Sequence, residues 1–275
     1  MTTPYAQQGS ASYVSPIPVR RAHLGDALAS EWTKIRSVRS TLWTLGVLVL
    51  LMLSIGLGVG AIVAASGVDP ENEPALGLGF FGMLPGSICV ITLGVLTIAS
   101  EYGTGMIRTT LTACPSRGRV LIAKAIVFFL LVFAITTVTA TLVAVAQYAM
   151  IGGPEPSASA WLRATVGAGF YVATLGLLAL AVGAVIRHSA GAITIMIGLL
   201  LLPLVAALFM FSEPLKDVQE ALFTYAIPSQ MLALYADVPP LGTDGPAGWE
   251  PVGILVAVTA LAFGGAYAAL QSRDV

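Results

Sequence analysis

Long apolar stretches separated by short polar segments dominate the chain. Six of these stretches approach or exceed the roughly 20 mostly apolar residues that a helix needs to cross about 30 Å of hydrocarbon. Each is continuously apolar, which favours membrane-spanning helices over the short alternating strands of a membrane barrel. The six predicted spans are Thr41 to Ala65, Phe80 to Ala99, Ala125 to Tyr148, Ala164 to Ile186, Ala190 to Phe211 and Val252 to Leu270. The pattern therefore predicts an all-α integral membrane protein.

The composition agrees with this prediction. Of the 275 residues, 57% are hydrophobic and only 10% are charged, whereas an ordinary soluble domain carries about 25% charged residues. The 13 lysines and arginines nearly balance the 14 aspartates and glutamates, which gives a net charge of -1. Without a basic surplus the chain has no electrostatic basis for binding nucleic acid.

The distribution of lysine and arginine predicts the orientation in the membrane. One side carries the basic residues before the first span, those between spans two and three, and Arg187 and Arg273. Only Arg163 and Lys216 fall on the opposite side, together with most of the acidic residues. Both termini are therefore expected to be cytoplasmic, which requires an even number of spans. The excess of arginine over lysine suggests GC-rich coding and hence a bacterial plasma membrane.

The predicted spans carry little that could do chemistry. As drawn, they contain no Asp, Glu, Lys, Arg or His, which argues against proton-coupled transport and intramembrane catalysis. The chain has no Gly-Lys dipeptide and so no phosphate-binding P-loop. Its two cysteines and two histidines show no metal-ligand spacing. We expect no enzyme activity and no cofactor or metal in this chain.

Two segments at the cytoplasmic side look specialised. The stretch from Leu24 to Arg39 predicts an amphipathic helix at the membrane surface, with Glu31 and Arg39 intruding on its apolar face. Glu31 could pair with Lys34 three residues later, although a plain lipid anchor is an equal alternative.

The second specialised segment lies between spans two and three. Thr104 is predicted to cap a short helix with Met106, Ile107, Thr110 and Leu111 on one face, a form suited to docking on a soluble partner. Ser116 is predicted to cap the third span.

This segment carries a family resemblance. The run Glu101-Tyr102-Gly103-Thr104-Gly105-Met106-Ile107-Arg108, followed by Leu111, Pro115, Arg117, Leu121 and Lys124, resembles the signature of type-two ATP-binding-cassette (ABC) exporter permeases. The upstream Ser30-Glu31-Trp32-Thr33-Lys34 is similar to the elbow helix of the same family. The resemblance implies contact with an ATPase partner through Glu101, Gly103, Thr104, Gly105, Met106, Ile107, Arg108, Leu111 and Arg117, and an elbow helix that contains Glu31, Trp32 and Lys34. The alternative for Glu101 and Arg108 is a solvated charge pair at the interface.

The resemblance also implies an architecture and a function. Residues 20–275 would be a single permease domain, after a cytoplasmic tail, residues 1–19, that the richness in Pro, Ser, Gln and Tyr predicts to be disordered. An extracellular helical segment between Ser212 and Pro251, with a second turn from Ser229 to Tyr235, would close the outer mouth before the last span.

The protein would be the membrane subunit of an ABC exporter for a hydrophobic or amphipathic substrate. It would pair with a second permease copy or a sister permease, while two ATPase subunits bind ATP and Mg. The rival interpretation is a non-transporting membrane anchor, assembly or immunity subunit. A secondary transporter is weaker, because no intramembrane charge supports it.

Overall fold

A computed structural model of the chain describes residues 23–67, 75–235 and 245–272. The predicted disordered tail, residues 1–19, and most of the proline-rich loop that follows Tyr235 lie outside these ranges. In the described part every regular element is helical and no strand occurs. The helices are α1 (Leu24–Ser37), α2 (Arg39–Ser66), α3 (Gly79–Gly103), α4 (Met106–Ala113), α5 (Arg117–Ile151), α6 (Ala158–Leu162), α7 (Ala168–Ile186), α8 (Ser189–Leu208), α9 (Lys216–Tyr225), α10 (Ile227–Ala233) and α11 (Glu250–Ser272).

Within the described ranges, six helical segments are long and apolar enough to cross a membrane, the number that the sequence predicts. Four of them are single helices: α2, α5, α8 and α11. The second span adds a short 3-10 turn, Ala75–Leu78, before α3, and the fourth joins α6 to α7 through a π-helical segment, Arg163–Gly167. The chain is therefore a multi-pass membrane protein.

The helices extend beyond the predicted spans, so the spans are not free of charged residues as the sequence had suggested. The sequence-based spans contain no charged residue, but α3 includes Glu101, α5 includes Lys124 and the fourth span includes Arg163. A helix continues past its apolar run wherever its backbone and charged side chains find partners at the membrane edge. The fifth span instead ends early, at Leu208 and not at Phe211.

Helix α7 lies at the centre of the bundle, and its closest neighbour is α3. Of the 18 most apolar consecutive residues in the fourth span, 72% are buried within the bundle. The corresponding share in α11 is 17%, so α11 lies at the periphery. Gly94 on α3 lies so close to α7 that a Cβ atom there would collide with the carbonyl oxygen of Gly176. Small residues thus let the two helices approach backbone to backbone, a common mode of packing in membranes.

Two short helices cover the end of the bundle opposite α1 and α4. The helix predicted to start at Ser212 forms as a 3-10 turn, Glu213–Leu215, followed by α9, and the predicted turn from Ser229 to Tyr235 falls largely in α10. Most of α10 is buried. The hydroxyl of Tyr235, just after α10, donates to Sδ of Met83 on α3 at 3.2 Å.

Candidate functional site

Four charged side chains meet at one end of the bundle. We call this the basic end: α2 and α5 begin here, and α1 and α4 lie across it. Nζ of Lys34 on α1 lies 2.8 Å from Oε1 of Glu31 and 2.8 Å from Oε1 of Glu101 at the end of α3. Nζ of Lys124 near the start of α5 lies 2.6 Å from Oε2 of Glu31 and 2.8 Å from Oε1 of Glu101. These four residues form the charge cluster.

The charge cluster is buried. Glu31 and Glu101 are each 3% exposed and Lys124 is 2% exposed, while Lys34 is the member that reaches solvent. Buried charges are tolerated only when they are paired and hydrogen-bonded. Here two lysines face two glutamates, so the cluster is formally neutral. The cluster joins α1, α3 and α5. If these helices moved apart, at least one buried charge would lose its partner.

The pairing keeps Lys34 protonated. Burial on its own lowers the pKa of the Lys34 ammonium, but the hydrogen bonds to Glu101 and Glu31 and the attraction of both carboxylates outweigh it. The pKa of Lys34 is therefore raised above its usual range. Lys34 accordingly carries its positive charge at neutral pH, which the cluster needs in order to hold both carboxylates.

Helix α4 is attached to the charge cluster. Nζ of Lys34 donates a third hydrogen bond, 3.2 Å long, to Oγ1 of Thr110 on α4. Ile107 on the same helix is 4% exposed and turns toward the bundle. Met106 and Arg108 are exposed, as are Thr109 and Thr112. Helix α4 therefore has one face fixed to the spans and another face that is open.

The start of α4 differs from the prediction. Thr104 does not cap this helix, because its hydroxyl donates to the carbonyl oxygen of Ser100 at 2.8 Å and so completes the end of α3. The residue before α4 is Gly105, whose φ of 71° lies in the left-handed region. A tight turn from one helix into the next requires this conformation, and glycine adopts it without steric cost. The predicted cap by Ser116 is confirmed, because its hydroxyl accepts from the backbone N–H of Arg119.

Gly105 should be sensitive to substitution. We expect Gly105→Ala to lower the free energy of unfolding by about 1 kcal/mol, because a Cβ atom is disfavoured at this φ angle. Gly105→Asn should cost less, since asparagine tolerates the left-handed region better. Gly103→Ala at the end of α3 is the control, because no positive φ is required there. Thermal unfolding in detergent measures the difference, and equal loss in Gly105→Ala and Gly103→Ala would contradict it.

The structure separates the predicted site residues into groups. The charge cluster contains Glu31, Lys34 and Glu101. Glu31 therefore does not interrupt an apolar face but belongs to the face that α1 buries. Glu101 does not form a solvated pair with Arg108, because Glu101 is buried against lysines and Arg108 is exposed. Leu111 is half-buried on α4, and Gly103 is exposed at the end of α3. Trp32 is 44% exposed on the outer side of α1.

Arg117 occupies a different place. Its Nη1 donates to the carbonyl oxygen of Leu270, so it ties the start of α5 to the end of α11. Nearby, the guanidinium of Arg187 lies over the ring of Tyr102, 4.9 Å from its centroid. These contacts join the last helix and the α7–α8 turn to the basic end, beside the charge cluster but not within it.

The sequence placed Lys124 in the family signature and Thr110 on one face of the short helix, but it did not predict that either residue contacts Lys34, Glu31 or Glu101. Lys124 stands between Ala123 and Ala125, just where an apolar span begins, and a lone lysine in such a place needs a partner. That signal was present in the sequence. The identity of the partners depends on how α1 folds back across α3 and α5, which no local pattern reveals.

The comparison with protein families gives a clear result. The sequence profile of a family described as ABC-2 family transporter protein matches residues 27–204. This match covers more than half of the chain. The chain belongs to the ABC-2 transporter family. The matched region includes the whole charge cluster and α4, and members of the family are membrane components that normally work with an ABC ATPase partner. No curated protein matches the chain significantly.

Proposed function

We propose that this ABC-2 family protein is the permease subunit of an exporter, and that α4 is the coupling helix through which a separate ATPase drives it. The observation that carries this proposal is the charge cluster together with its bond to Thr110. Through Lys34, α4 is linked to α1, to the end of α3 and to the start of α5. A push on α4 would therefore act on two spans and on the surface helix together.

The open face of α4 fits a docking role. It presents Met106 and Arg108 outward, next to exposed threonines, while Ile107 anchors the helix below. An apolar side chain beside a cation is a common basis for protein recognition. The ATPase, expected in two copies, would bind ATP and Mg and receive α4 in a groove. In this arrangement α1 is the elbow helix.

The orientation of the protein in the membrane is inferred from the charges at the basic end. Most lysines and arginines lie at the basic end, so we place this end, and both termini, in the cytoplasm of a bacterial plasma membrane. Helices α9 and α10 then cover the extracellular mouth. A second permease copy or a sister permease would complete the translocation path.

The substrate would be hydrophobic or amphipathic. In the described part of the six spans, charged side chains lie only within about two turns of a helix end. Such a path offers no fixed charge to a strongly ionic cargo in the middle of the membrane.

A charge reversal on α4 tests the coupling role. We expect Arg108→Glu to reduce export at least tenfold while the permease folds normally, because Arg108 is exposed and only its docking contact is lost. ATP hydrolysis by the co-purified complex should no longer respond to substrate. Arg36→Glu is the matched control, since Arg36 is an exposed arginine at the same end on α1. Transport and ATPase activity are measured in vesicles that contain the whole complex.

The opposite result would favour the anchor interpretation. If Arg108→Glu, Gly105→Ala and the unmodified protein all export a substrate equally, α4 is not the coupling helix. If no ATPase co-purifies and no nucleotide-dependent transport is found, the protein is a membrane anchor or assembly subunit and not a transporter.

A further inference from the structure

One face of α2 is open along the first turns of the helix, at the basic end. Four residues share this face, spaced four, three and four positions apart: Arg39, Trp43, Gly46 and Leu50. At 100° per residue they fall within an arc of about 60°. All four are exposed, Trp43 by 76% and Leu50 by 64%. We call these four residues the α2 stripe.

The order of residues in the α2 stripe matches the layers of a lipid leaflet. Arg39 begins the helix, and Trp43 follows one turn later. Basic residues and tryptophans are enriched at the level of the lipid headgroups. Gly46 and Leu50 lie about 10 and 16 Å further along the axis than Arg39, at a rise of 1.5 Å per residue, so they reach the depth of the acyl chains. The stripe thus presents a cation, an aromatic ring and an apolar surface in the order in which a phospholipid presents its phosphate, glycerol and chains.

Gly46 makes a notch in this surface. A Cβ atom at Gly46 would meet nothing within 4 Å, so packing inside the bundle does not require a glycine there. Gly56 on the same helix differs, because a Cβ atom there would lie 2.7 Å from Cγ1 of Val143. The missing side chain between Trp43 and Leu50 leaves a depression in which an acyl chain can lie.

The charge of Arg39 selects an anionic headgroup. Arg39 makes no salt bridge with a residue that the structure describes. The carboxylates of the charge cluster, Glu31 and Glu101, are buried against lysines, and residues 1–22 contain no Asp or Glu. A guanidinium holds a phosphate through two parallel hydrogen bonds. A zwitterionic headgroup would bring its own cation close to the arginine, whereas an anionic one would not.

A second copy of the chain suits the α2 stripe less well than a lipid does. A twofold contact uses the same patch on both subunits, so stripe against stripe would bring two Arg39 side chains together. The stripe contains no acidic residue that could separate these like charges. A lipid phosphate supplies the opposite charge.

We propose that the α2 stripe binds one anionic phospholipid, such as phosphatidylglycerol, from the leaflet at the basic end. Its phosphate lies against the guanidinium of Arg39, its glycerol beside Trp43 and one acyl chain over Gly46. Val38 alone separates α1 from α2, so a lipid held at Arg39 also steadies the turn that positions α1. The site does not depend on whether the protein exports anything.

Lipid retention by the purified full-length protein tests this site. The protein is incubated with vesicles that contain equal amounts of phosphatidylglycerol, phosphatidylethanolamine and phosphatidylcholine, and bound lipid is counted by native mass spectrometry. We expect phosphatidylglycerol to be retained preferentially. Arg39→Gln should weaken that retention about tenfold, the usual effect of losing a hydrogen bond to a charged group. Arg39→Lys should fall between the two, because it keeps the charge but not the paired donors.

A second variant tests the notch without changing any charge. Gly46→Leu fills the depression and points into open space, so the bundle should fold normally while retention of phosphatidylglycerol falls severalfold. Gly58→Leu is its matched control, because Gly58 lies further along α2, outside the stripe, and is equally open. Arg108→Gln is the control for the charge, since it removes an exposed arginine at the basic end from α4. Both controls should retain phosphatidylglycerol as the unmodified protein does.

Three results would overturn the proposal. The first is equal retention of the three lipids, or a preference for phosphatidylethanolamine or phosphatidylcholine. The second is equal retention of phosphatidylglycerol by Arg39→Gln and Arg108→Gln, or by Gly46→Leu and Gly58→Leu. The third is a dimer that carries no lipid and dissociates in Gly46→Leu, which would mean that a second copy covers the stripe.

Discussion

Replacing Lys124 with methionine should destabilise the protein more than any other single change at the basic end. Lys124 is 2% exposed and contacts both Glu31 and Glu101. Without it, two buried carboxylates would share one partly exposed lysine. Breaking a buried ion pair in this way typically costs about 3 to 5 kcal/mol. We expect Lys124→Met to lower the free energy of unfolding by that amount in mixed micelles titrated with SDS.

Two further variants separate the charge effect from a general effect of the substitution. Lys216→Met replaces an exposed lysine on α9 and should change stability by less than about 0.5 kcal/mol. Adding Glu101→Gln to Lys124→Met removes one of the unpaired charges and should recover part of the loss. If Lys124→Met were as stable as Lys216→Met, the charge cluster would not hold the basic end together.

Any residue larger than glycine at position 94 should destabilise the protein, because Gly94 lies where α3 crosses the central helix α7. A Cβ atom at Gly94 would collide with the carbonyl oxygen of Gly176 and approach Cβ of Ala179 at 3.2 Å. Backbone atoms cannot move aside as a flexible side chain can, so the two helices would have to separate. We expect Gly94→Ala to cost about 1 to 3 kcal/mol, and Gly94→Val to exceed that range and reduce the yield of folded protein.

A glycine in open surroundings provides the comparison. Gly198 lies within α8, and a Cβ atom there would meet nothing within 4 Å. Gly198→Ala should be neutral or slightly stabilising, because alanine favours a helix more than glycine does. The same SDS titration measures both series. Equal stability of Gly94→Ala and Gly198→Ala would mean that α3 and α7 do not pack as closely as described.

The sequence determined the membrane class, the number of spans and the short helices at the basic end. Those features depend on continuous apolar length and on 3.6-residue periodicity, which are local properties of the chain. The pairing of Glu31 with Lys34 was also predictable, because three residues separate them on one helix. The family resemblance carried by the segment around Gly105 is equally local, and the matched family profile confirms the family.

Only the tertiary structure decided the partners of Glu101 and Lys124, the role of Thr104 at the end of α3 and the exposure of the α2 stripe. Glu101 lies 67 residues from Lys34 in sequence, and the two meet only because α1 folds across the ends of α3 and α5. Local patterns report which residues share a helix face, but not which face of another helix they meet. That choice is made by close packing, such as the α3 and α7 crossing at Gly94, and by the need of buried charges for partners.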